Sequence, residues 1–314
     1  MMDWTDRHCR YFHRLMSRKA VLYTEMVTSG AVVFGDRQHL IGFNQAEHPV
    51  VLQLGGSKPD ELAQACMIAR DFGYDEINLN VGCPSDRVKS GNFGASLMAD
   101  PELVGRCFAA MNKAVDIPVT VKCRIGIDDQ DEDKDLDHFI AVVADTGCKT
   151  FIVHARKAWL KGLSPKENRD IPPLNYKRVY RLKQNNPELE IHINGGIADL
   201  AEARQHLEFV DGVMLGRAAY HQPFLLASVD SEIYGEPDPF TTRQEIIEAL
   251  KPYITQQQEL GESLPKISRH ILGLFHARPG ARLWRRHLAE NAHLPEAGIK
   301  TLDEALEFVS DLVN

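Results

Sequence analysis

The stretch Glu76–Ser85 (EINLNVGCPS) carries a thiol at a point where a predicted strand gives way to a loop. Apolar residues occupy every second position from Ile77 to Val81, which predicts a strand with one buried face. A glycine and a proline then flank Cys83 and end the strand. A cysteine at such a place is either buried packing or a reactive group held at a strand end, and the local pattern leaves both interpretations open.

Other chemically useful side chains lie at or just past the ends of short apolar runs. In a barrel of alternating strands and helices, the loops after the strands carry the active site. We therefore expect side chains that end different strands to meet at one rim. Lys122 is interpreted either as a fixed cation beside an anionic cofactor or as a rim lysine that extends to solvent. The residues that share this position are Gln53, Cys83, Lys122, Arg124, His154, Asn194 and Arg217.

Glycine-rich turns follow the last two predicted strands, at Asn194-Gly195-Gly196 and at Gly216-Arg217. Glycine lets backbone N–H groups approach an anion, and barrels of this kind frequently bind phosphate after their last two strands. The two turns therefore indicate a phosphate site. Tight turns that need positive φ would have the same composition.

Strand patterns alternate with amphipathic helical patterns over about the first 220 residues, which predicts an α/β fold with parallel strands. Seven such units favour a (β/α)8 TIM barrel over an open sheet, since no G-x-G-x-x-G fingerprint follows a strand. The missing strand is expected upstream of Met1, as the first strand of the barrel. A linker at 235–239 (GEPDP) precedes a helical remainder, so we expect a barrel domain (1–234) and a small all-helical domain (235–314).

The composition is that of an ordinary globular protein, with 314 residues, of which 44% are hydrophobic, and a net charge of −8. No apolar run approaches the ~20 residues of a membrane span, and no signal peptide opens the chain. The six cysteines form no C-x-x-C pair. These features predict a cytoplasmic protein with no metal site and no membrane partner.

The charge is distributed unevenly along the chain. Residues 128–137 hold seven acids and one lysine, whereas residues 266–286 hold six basic residues and no acid. A net charge of −8 alone argues against a nucleic-acid partner, but a basic segment of this kind is suited to one. The loop after His154 is also long and basic, and long loops at the active rim of a barrel are usually functional.

Motifs along nearly the whole chain resemble the tRNA-dihydrouridine synthase family, and most closely its A subfamily. The loop HARKAWLKGLSPKENR and the segment RLWRR are the features that indicate the subfamily. In chain order, the motifs are MMDWTDRHCR, LQLGG, DEINLNVGCPSDRV, VTVKCRIG, FIVHARKAWLKGLSPKENRDIPPL, NGGI, DGVMLGR and PGARLWRRHL.

The resemblance implies a barrel that binds FMN, followed by a helical domain that binds tRNA. Members of the family reduce the C5–C6 double bond of uridines in the tRNA D-loop and use NADPH to reduce the flavin. The A subfamily is associated with positions 20 and 20a of that loop. Cys83 matches the catalytic cysteine, so hydride would pass from flavin N5 to uracil C6 while the Cys83 thiol protonates C5. No obligate protein partner is expected.

The resemblance also assigns binding residues. Lys122 would stabilise the anionic reduced ring. In the family, a strand and an Ala-Pro pair precede the methionine that Met1 matches. A chain that begins at Met1 is therefore expected to bind FMN poorly and to have an open barrel seam. The cofactor-binding positions are Met1, Gln53, Lys122, His154, Asn194, Gly195, Gly196, Gly216 and Arg217. The substrate-binding positions are Asn80, Arg124, Lys166, Arg169, Arg282 and Arg285.

Two other functions account for part of the sequence. An FMN barrel that acts on a free pyrimidine explains the rim residues but not the basic helical tail. A tRNA-binding or folding protein with a vestigial flavin site explains the tail but not the presence of Cys83 together with the rim residues. If the substrate is tRNA, we expect the acidic segment 128–137 to face away from it.

Overall fold

The computed structural model describes residues 1–85 and 93–309, so residues 86–88 of the motif around Cys83 lie outside the described residues. Its strands alternate with helices, as the sequence pattern predicts. The strands are β1 (Leu22–Thr28), β2 (Val50–Gly55), β3 (Glu76–Asn80), β4 (Val119–Arg124), β5 (Thr150–His154), β6 (Glu190–Asn194) and β7 (Gly212–Met214).

The helices that follow or separate these strands are α1 (Arg7–Met16), α2 (Ser29–Phe34), α3 (Arg37–Ile41), α4 (Pro59–Phe72), α5 (Pro101–Ala114), α6 (Lys134–Asp145), α7 (Tyr176–Asn185), α8 (Leu200–Leu207), α9 (Arg217–His221), α10 (Val229–Tyr234), α11 (Arg243–Glu259), α12 (Leu264–Ser268), α13 (Ala281–Asn291) and α14 (Ile299–Leu306). Short 3-10 turns span Gln45–Glu47, Gly94–Ala99, Glu167–Arg169 and Pro223–Ser228. In the described part of the chain, no helix is both long and apolar enough to cross a membrane.

The seven strands form one sheet in the order of the chain, from β1 to β7, and each neighbouring pair from β2 to β7 is parallel. This order is that of a curled barrel sheet, in which each strand pairs with the next after a helical crossover. The predicted α/β class with a TIM-barrel arrangement of parallel strands is confirmed. The register places Arg124, His154 and Asn194 at one level across β4, β5 and β6.

The two faces of the strands differ in polarity. On β3, Ile77 and Leu79 belong to the hydrophobic core that the sheet shares with the helices. The residues between them, Asn78 and Asn80, are polar and nevertheless buried. Successive side chains of a strand point to opposite faces, so the apolar set packs against the helices and the polar set lines the interior of the sheet. That interior is where the candidate site lies.

The helix ends follow from local sequence. Proline occupies the first turn of α4, where its missing N–H costs nothing, and Gly73 ends this helix in the left-handed conformation. Asp100 caps α5 by accepting a hydrogen bond from the backbone N–H of Leu103. These caps set where each crossover helix begins, and so where the loop that follows each strand must end.

Two compact units make up the chain. The α/β unit comprises Met1, Tyr23–Phe43 and His48–Gly216, and the helical unit comprises Met2–Leu22, Asn44–Glu47 and Arg217–Asn314. The predicted division into a catalytic domain (1–234) and a tRNA-binding domain (235–314) stays a prediction.

The helical unit has its own core and its own buried ion pair. Trp284 of α13 is fully buried and packs with its ring 4.8 Å from that of Phe275. Arg10 of α1 donates from Nε to the buried Glu47 carboxylate at 2.6 Å. Thr242 and Glu245 form a reciprocal capping box at the start of α11.

Candidate active site

The Cys83 thiol is presented by a turn that Asn80 holds in place. The side-chain oxygen of Asn80 accepts hydrogen bonds from the backbone N–H groups of Gly82 at 3.1 Å and Cys83 at 2.9 Å. Cys83 is partly exposed, and its Sγ lies 3.5 Å from the hydroxyl of Ser85, whereas the other five cysteines are buried. Of the two interpretations that the sequence leaves open, the structure favours a presented thiol over buried packing.

Gln53 and Asn80 are joined directly. The Asn80 side-chain nitrogen donates to the Gln53 side-chain oxygen at 2.8 Å, and each residue is 8% exposed. The sequence analysis assigns Gln53 to the cofactor and Asn80 to the substrate. The structure brings these two amides together beside the Cys83 turn.

Lys122 extends into the interior of the sheet and meets β6. Its Nζ donates to the side-chain oxygen of Asn194 at 3.1 Å, and Asn194 in turn donates to the backbone carbonyl of Met214 at 2.7 Å. Burial of the ammonium group, together with the positive charge of Arg124, lowers the pKa of Lys122 to about 8. An anion beside Lys122 would relieve this cost, and this favours the interpretation as a fixed cation.

The turn after β6 has the geometry of an anion cradle. Gly195 and Gly196 have φ of 118° and 77°, and a Cβ on Gly195 would lie 2.5 Å from the His154 ring. The Tyr176 hydroxyl donates to the Gly195 carbonyl at 2.7 Å and holds the turn from the other side. Within the described residues, the N–H groups of Gly195 and Gly196 have no protein acceptor. Two such donors beside a lysine fit a phosphate group.

The second glycine turn follows β7. Within the described residues, the backbone N–H of Gly216 has no hydrogen-bond acceptor. A Cβ built on Gly216 would have the Met1 sulfur as its neighbour, at 3.7 Å. Met1 thus lies beside the turn that is assigned to the cofactor. Arg217 is the first residue of α9 and belongs to the helical unit. Its role in binding a phosphate stays a prediction.

Arg124 is a buried connector between two loops. It is 3% exposed, and its guanidinium donates to the carbonyl of Gly82 at 2.8 Å, of Lys157 at 2.9 Å and of Asn168 at 3.0 Å. The same side chain therefore holds the Cys83 turn and the loop that follows β5. These guanidinium donors are hydrogen-bonded to backbone carbonyls, and the assignment of Arg124 to substrate binding stays a prediction.

The long basic loop after β5 is closed by Asn168, which is fully buried. The Asn168 side chain accepts from the backbone N–H of Trp159 at 2.8 Å and donates to its carbonyl at 2.9 Å. Lys166 and Arg169 flank this anchor and are both exposed. The loop thus carries its basic side chains on a framework that is internally hydrogen-bonded.

The helical unit presents Arg282 and Arg285 on the outer face of α13. Both are exposed, whereas Trp284 and Leu288 of the same helix are buried. In the described part of the chain, neither arginine forms an ion pair, although the nearby Arg286 lies 3.6 Å from Glu290. Residues three apart share a helix face, so the two guanidinium groups form one basic patch.

The sequence analysis missed several residues that position the site. Tyr176 is a polar residue in unremarkable sequence surroundings, and Asn168 lies in the loop after His154 but carries no charge that would single it out beside Lys166 and Arg169. Asn78 and Thr120 were detectable in principle, because they alternate with apolar residues in strands that are buried on both faces. A polar residue at such a position must find a partner inside the sheet.

The family model for dihydrouridine synthases matches residues 1–310 of the chain. The chain belongs to the dihydrouridine synthase family. This membership confirms the resemblance inferred from the motifs.

Relatives from several bacteria agree with this family over almost their whole length. The protein named tRNA-dihydrouridine(20/20a) synthase from Vibrio vulnificus is 58% identical to the chain over 98% of the chain and 94% of the relative. The protein of the same name from Shewanella oneidensis is 58% identical over 100% of the chain and 93% of the relative. The protein of that name from Escherichia coli K12 is 57% identical over 99% of the chain and 90% of the relative.

The fold has a distant structural neighbour. An old yellow enzyme homologue from Zymomonas mobilis superposes with a TM-score of 0.51 at 10% identity, over 74% of this chain and 84% of that one. At this identity the likeness concerns the fold alone, and it agrees with a barrel of the TIM type.

Replacing Arg124 by Met should loosen the two loops that it connects. Three backbone carbonyls would lose their donor, at a cost of about 1–3 kcal/mol in the free energy of unfolding. We expect hydrogen exchange to become at least about tenfold faster in residues 82–85 and 157–169. Arg70→Met is the matched control, because the Arg70 guanidinium is exposed and pairs with the neighbouring Asp71. Equal exchange in the two variants would contradict the connector role.

Lys122 should make stability depend on alkaline pH. Its pKa of about 8 in the folded protein lies below the ordinary 10.5, so the unfolded chain binds more protons between these values. The stability of the ligand-free protein relative to Lys122→Met should therefore rise with pH from 8 to 10.5, by up to about 3 kcal/mol. Urea unfolding of both proteins at several pH values measures this difference, and a constant difference would refute the shifted pKa.

Proposed function

We propose that this chain reduces uridines at positions 20 and 20a of the tRNA D-loop to 5,6-dihydrouridine, with FMN as bound cofactor and NADPH as reductant. The observation that carries the proposal is the partly exposed Cys83 thiol, held by Asn80 next to the interior amides and Lys122. The names of relatives at 57–58% identity support the same substrate and positions.

The proposed cofactor site is built from the α/β unit. Gly195, Gly196 and Gly216 offer backbone N–H donors that suit the phosphate of FMN, and Lys122 offers a cation. Gln53, His154 and Asn194 would contact the rest of the cofactor. When bound, FMN supplies a hydride for C6 of uracil.

The proposed role of Cys83 is to donate a proton to C5 as the hydride arrives at C6. The two transfers together saturate the C5–C6 bond, and they require Cys83 to be a neutral thiol at that moment. A correctly placed general acid contributes about 10²–10⁴-fold to a rate. Placement follows from Asn80, because its oxygen fixes the backbone N–H of Cys83. Asn80 would also contact the target nucleotide.

The proposed tRNA contacts come from two exposed basic groups. Lys166 and Arg169 lie on the loop after β5, and Arg282 and Arg285 lie on α13. The target base must leave its stack to reach the thiol, at a cost of a few kcal/mol that is smaller for an unpaired loop base. Contacts of these side chains with phosphates would offset that cost.

A cytoplasmic location is part of the proposal. All six cysteines are free thiols, as expected in a reducing compartment, and the proposed substrate and reductant are both found there.

Cys83→Ala should abolish dihydrouridine formation and leave tRNA binding intact. We expect turnover to fall by about 10²–10⁴-fold, with the Kd for tRNA within about twofold of wild type. Cys66→Ala is a matched control, since this thiol is buried in the core of the α/β unit. Mapping dihydrouridine in tRNA from a strain that carries either variant measures the effect. Loss at positions other than 20 and 20a would contradict the positional assignment, and full activity of Cys83→Ala would exclude the proton-donor role.

Arg282→Ala and Arg285→Ala should weaken tRNA binding through lost phosphate contacts. Each change should raise the Kd for tRNA several-fold and reduce the slope of log Kd against log salt by about 1. Arg286→Ala is the control, because Arg286 is exposed on the same helix but lies beside Glu290. If the protein is instead an enzyme of free pyrimidines, neither the Kd for tRNA nor its salt dependence should change in any of these variants. That outcome would contradict the assignment of the basic patch to tRNA binding.

A further inference from the structure

The interior face of β3 carries a row of polar side chains that reaches from one end of the sheet to the other. Glu76, Asn78 and Asn80 alternate along this strand with the apolar residues of the outer face. Glu76 is the first residue of the strand, and Asn80 is the last, next to the Cys83 turn. Buried polar side chains in such a row must be hydrogen-bonded, and these are bonded to one another through neighbouring strands.

The upper half of the row runs from the Cys83 turn to β2. The N–H groups of Gly82 and Cys83 donate to the oxygen of Asn80, and the nitrogen of Asn80 donates to the oxygen of Gln53 at 2.8 Å. The nitrogen of Gln53 then donates to the oxygen of Asn78 at 2.9 Å. Each amide thus accepts a hydrogen bond from the partner nearer to Cys83 and donates one to the partner nearer to Glu76.

The lower half ends on a carboxylate. The nitrogen of Asn78 donates to the Thr120 hydroxyl at 2.9 Å, and this hydroxyl donates to Glu76 at 2.6 Å. The Tyr23 hydroxyl also donates to Glu76, at 3.1 Å. The result is an unbroken relay of hydrogen bonds from the Cys83 backbone to Glu76, with every donor pointing toward Glu76.

The backbone N–H groups of Gly82 and Cys83 set the direction of this relay, and Glu76 supplies the terminal acceptor that this direction requires. A backbone N–H can only donate, and a carboxylate can only accept. Between these ends, a hydroxyl can rotate and an amide can turn over, so each member alone would allow either direction. Because the N–H end is defined, only one orientation of Asn80, Gln53 and Asn78 satisfies every group, and it needs an acceptor at Glu76. A reversed relay would place the Asn80 nitrogen against the N–H groups of Gly82 and Cys83.

We propose that Glu76 is a positioning residue for the reaction, acting through Thr120 and Asn78 to orient the amides of Gln53 and Asn80 and to hold the Cys83 turn. The inference rests on the proposed function for its catalytic consequence, because Gln53 and Asn80 are the amides assigned to cofactor and substrate. Its structural part, the fixed amide orientation, does not depend on the substrate. Glu76 itself lies at the opposite end of β3 from the Cys83 turn and is assigned to neither reactant.

Substitutions at Thr120 and Glu76 interrupt the relay at known points. Thr120→Val removes the hydroxyl that links Asn78 to Glu76 at nearly constant volume, whereas Thr120→Ser keeps a hydroxyl. Glu76→Met removes the terminal acceptor of the relay at similar side-chain length, so the Thr120 hydroxyl loses its partner. Ile77→Val is the control for stability alone, because Ile77 is buried on the outer face of the same strand.

We expect Thr120→Val and Glu76→Met to lower kcat for tRNA by about ten- to hundredfold while the Kd for tRNA stays within about twofold, since the reacting groups are misplaced but the basic contacts remain. Thr120→Ser should restore most of the loss, and Ile77→Val should show none. The holoenzymes with Thr120→Val and Glu76→Met should also show an altered flavin absorbance spectrum, because the Gln53 amide is no longer held in one orientation.

A second readout is independent of the activity on tRNA. Hydrogen exchange of the Gly82 and Cys83 amides and the rate of Cys83 alkylation by iodoacetamide should both increase in Thr120→Val and Glu76→Met, and both should return toward wild type in Thr120→Ser. If the wild-type protein proves inactive on tRNA but the variants still show these changes relative to it, the proposed function fails and the positioning role stands. If Thr120→Ser behaves as Thr120→Val does, or if neither variant differs from Ile77→Val, the positioning role is overturned.

Discussion

The carboxamide of Asn80 is the interaction on which the geometry of the site depends. Its oxygen accepts the N–H groups of Gly82 and Cys83, and its nitrogen donates to Gln53. Because oxygen and nitrogen of one amide are a fixed distance apart, the thiol turn and the Gln53 amide cannot be placed independently. One side chain thereby couples the group that we assign to proton donation with a group that we assign to the cofactor. A buried amide can do this only if all its partners are present, since an unpaired one is costly.

Basic residues of this chain fall into two groups, which differ in burial. Arg124 and Arg178 are buried, and both donate to backbone carbonyls of loops that follow the strands. Lys166, Arg282 and Arg285 are exposed, and their charges are available to a polyanion. Counting charges does not distinguish these groups. The net charge of −8 is therefore compatible with the proposed tRNA substrate, because the exposed basic side chains are grouped on particular elements.

The acidic segment 128–137 and the basic loop after β5 are hydrogen-bonded to each other in the α/β unit. The Asp128 carboxylate accepts the backbone N–H of Leu160 at 2.7 Å, and Lys157 donates to the Gln130 carbonyl at 2.6 Å. Arg178 donates to the carbonyl of Glu132 at 2.6 Å. Much of the acidic segment is thus engaged with neighbouring loops of its own unit. The Asp128 carboxylate and two backbone carbonyls of this segment thus have a structural role.

The sequence by itself determined the α/β class, the position of each strand to within about one residue and the position of the Cys83 turn. These are local properties: period-two alternation selects strands, and glycine and proline end them. Tertiary structure decided which polar residues are partners. Tyr176 holds the Gly195 turn across 19 residues, Arg124 reaches Gly82 across 42, and Thr120 reaches Glu76 across 44. Such pairings depend on strand register and crossover geometry, so no local pattern specifies them. The thiol was visible in the sequence, but the relay of hydrogen bonds behind it exists only once β2, β3 and β4 lie side by side.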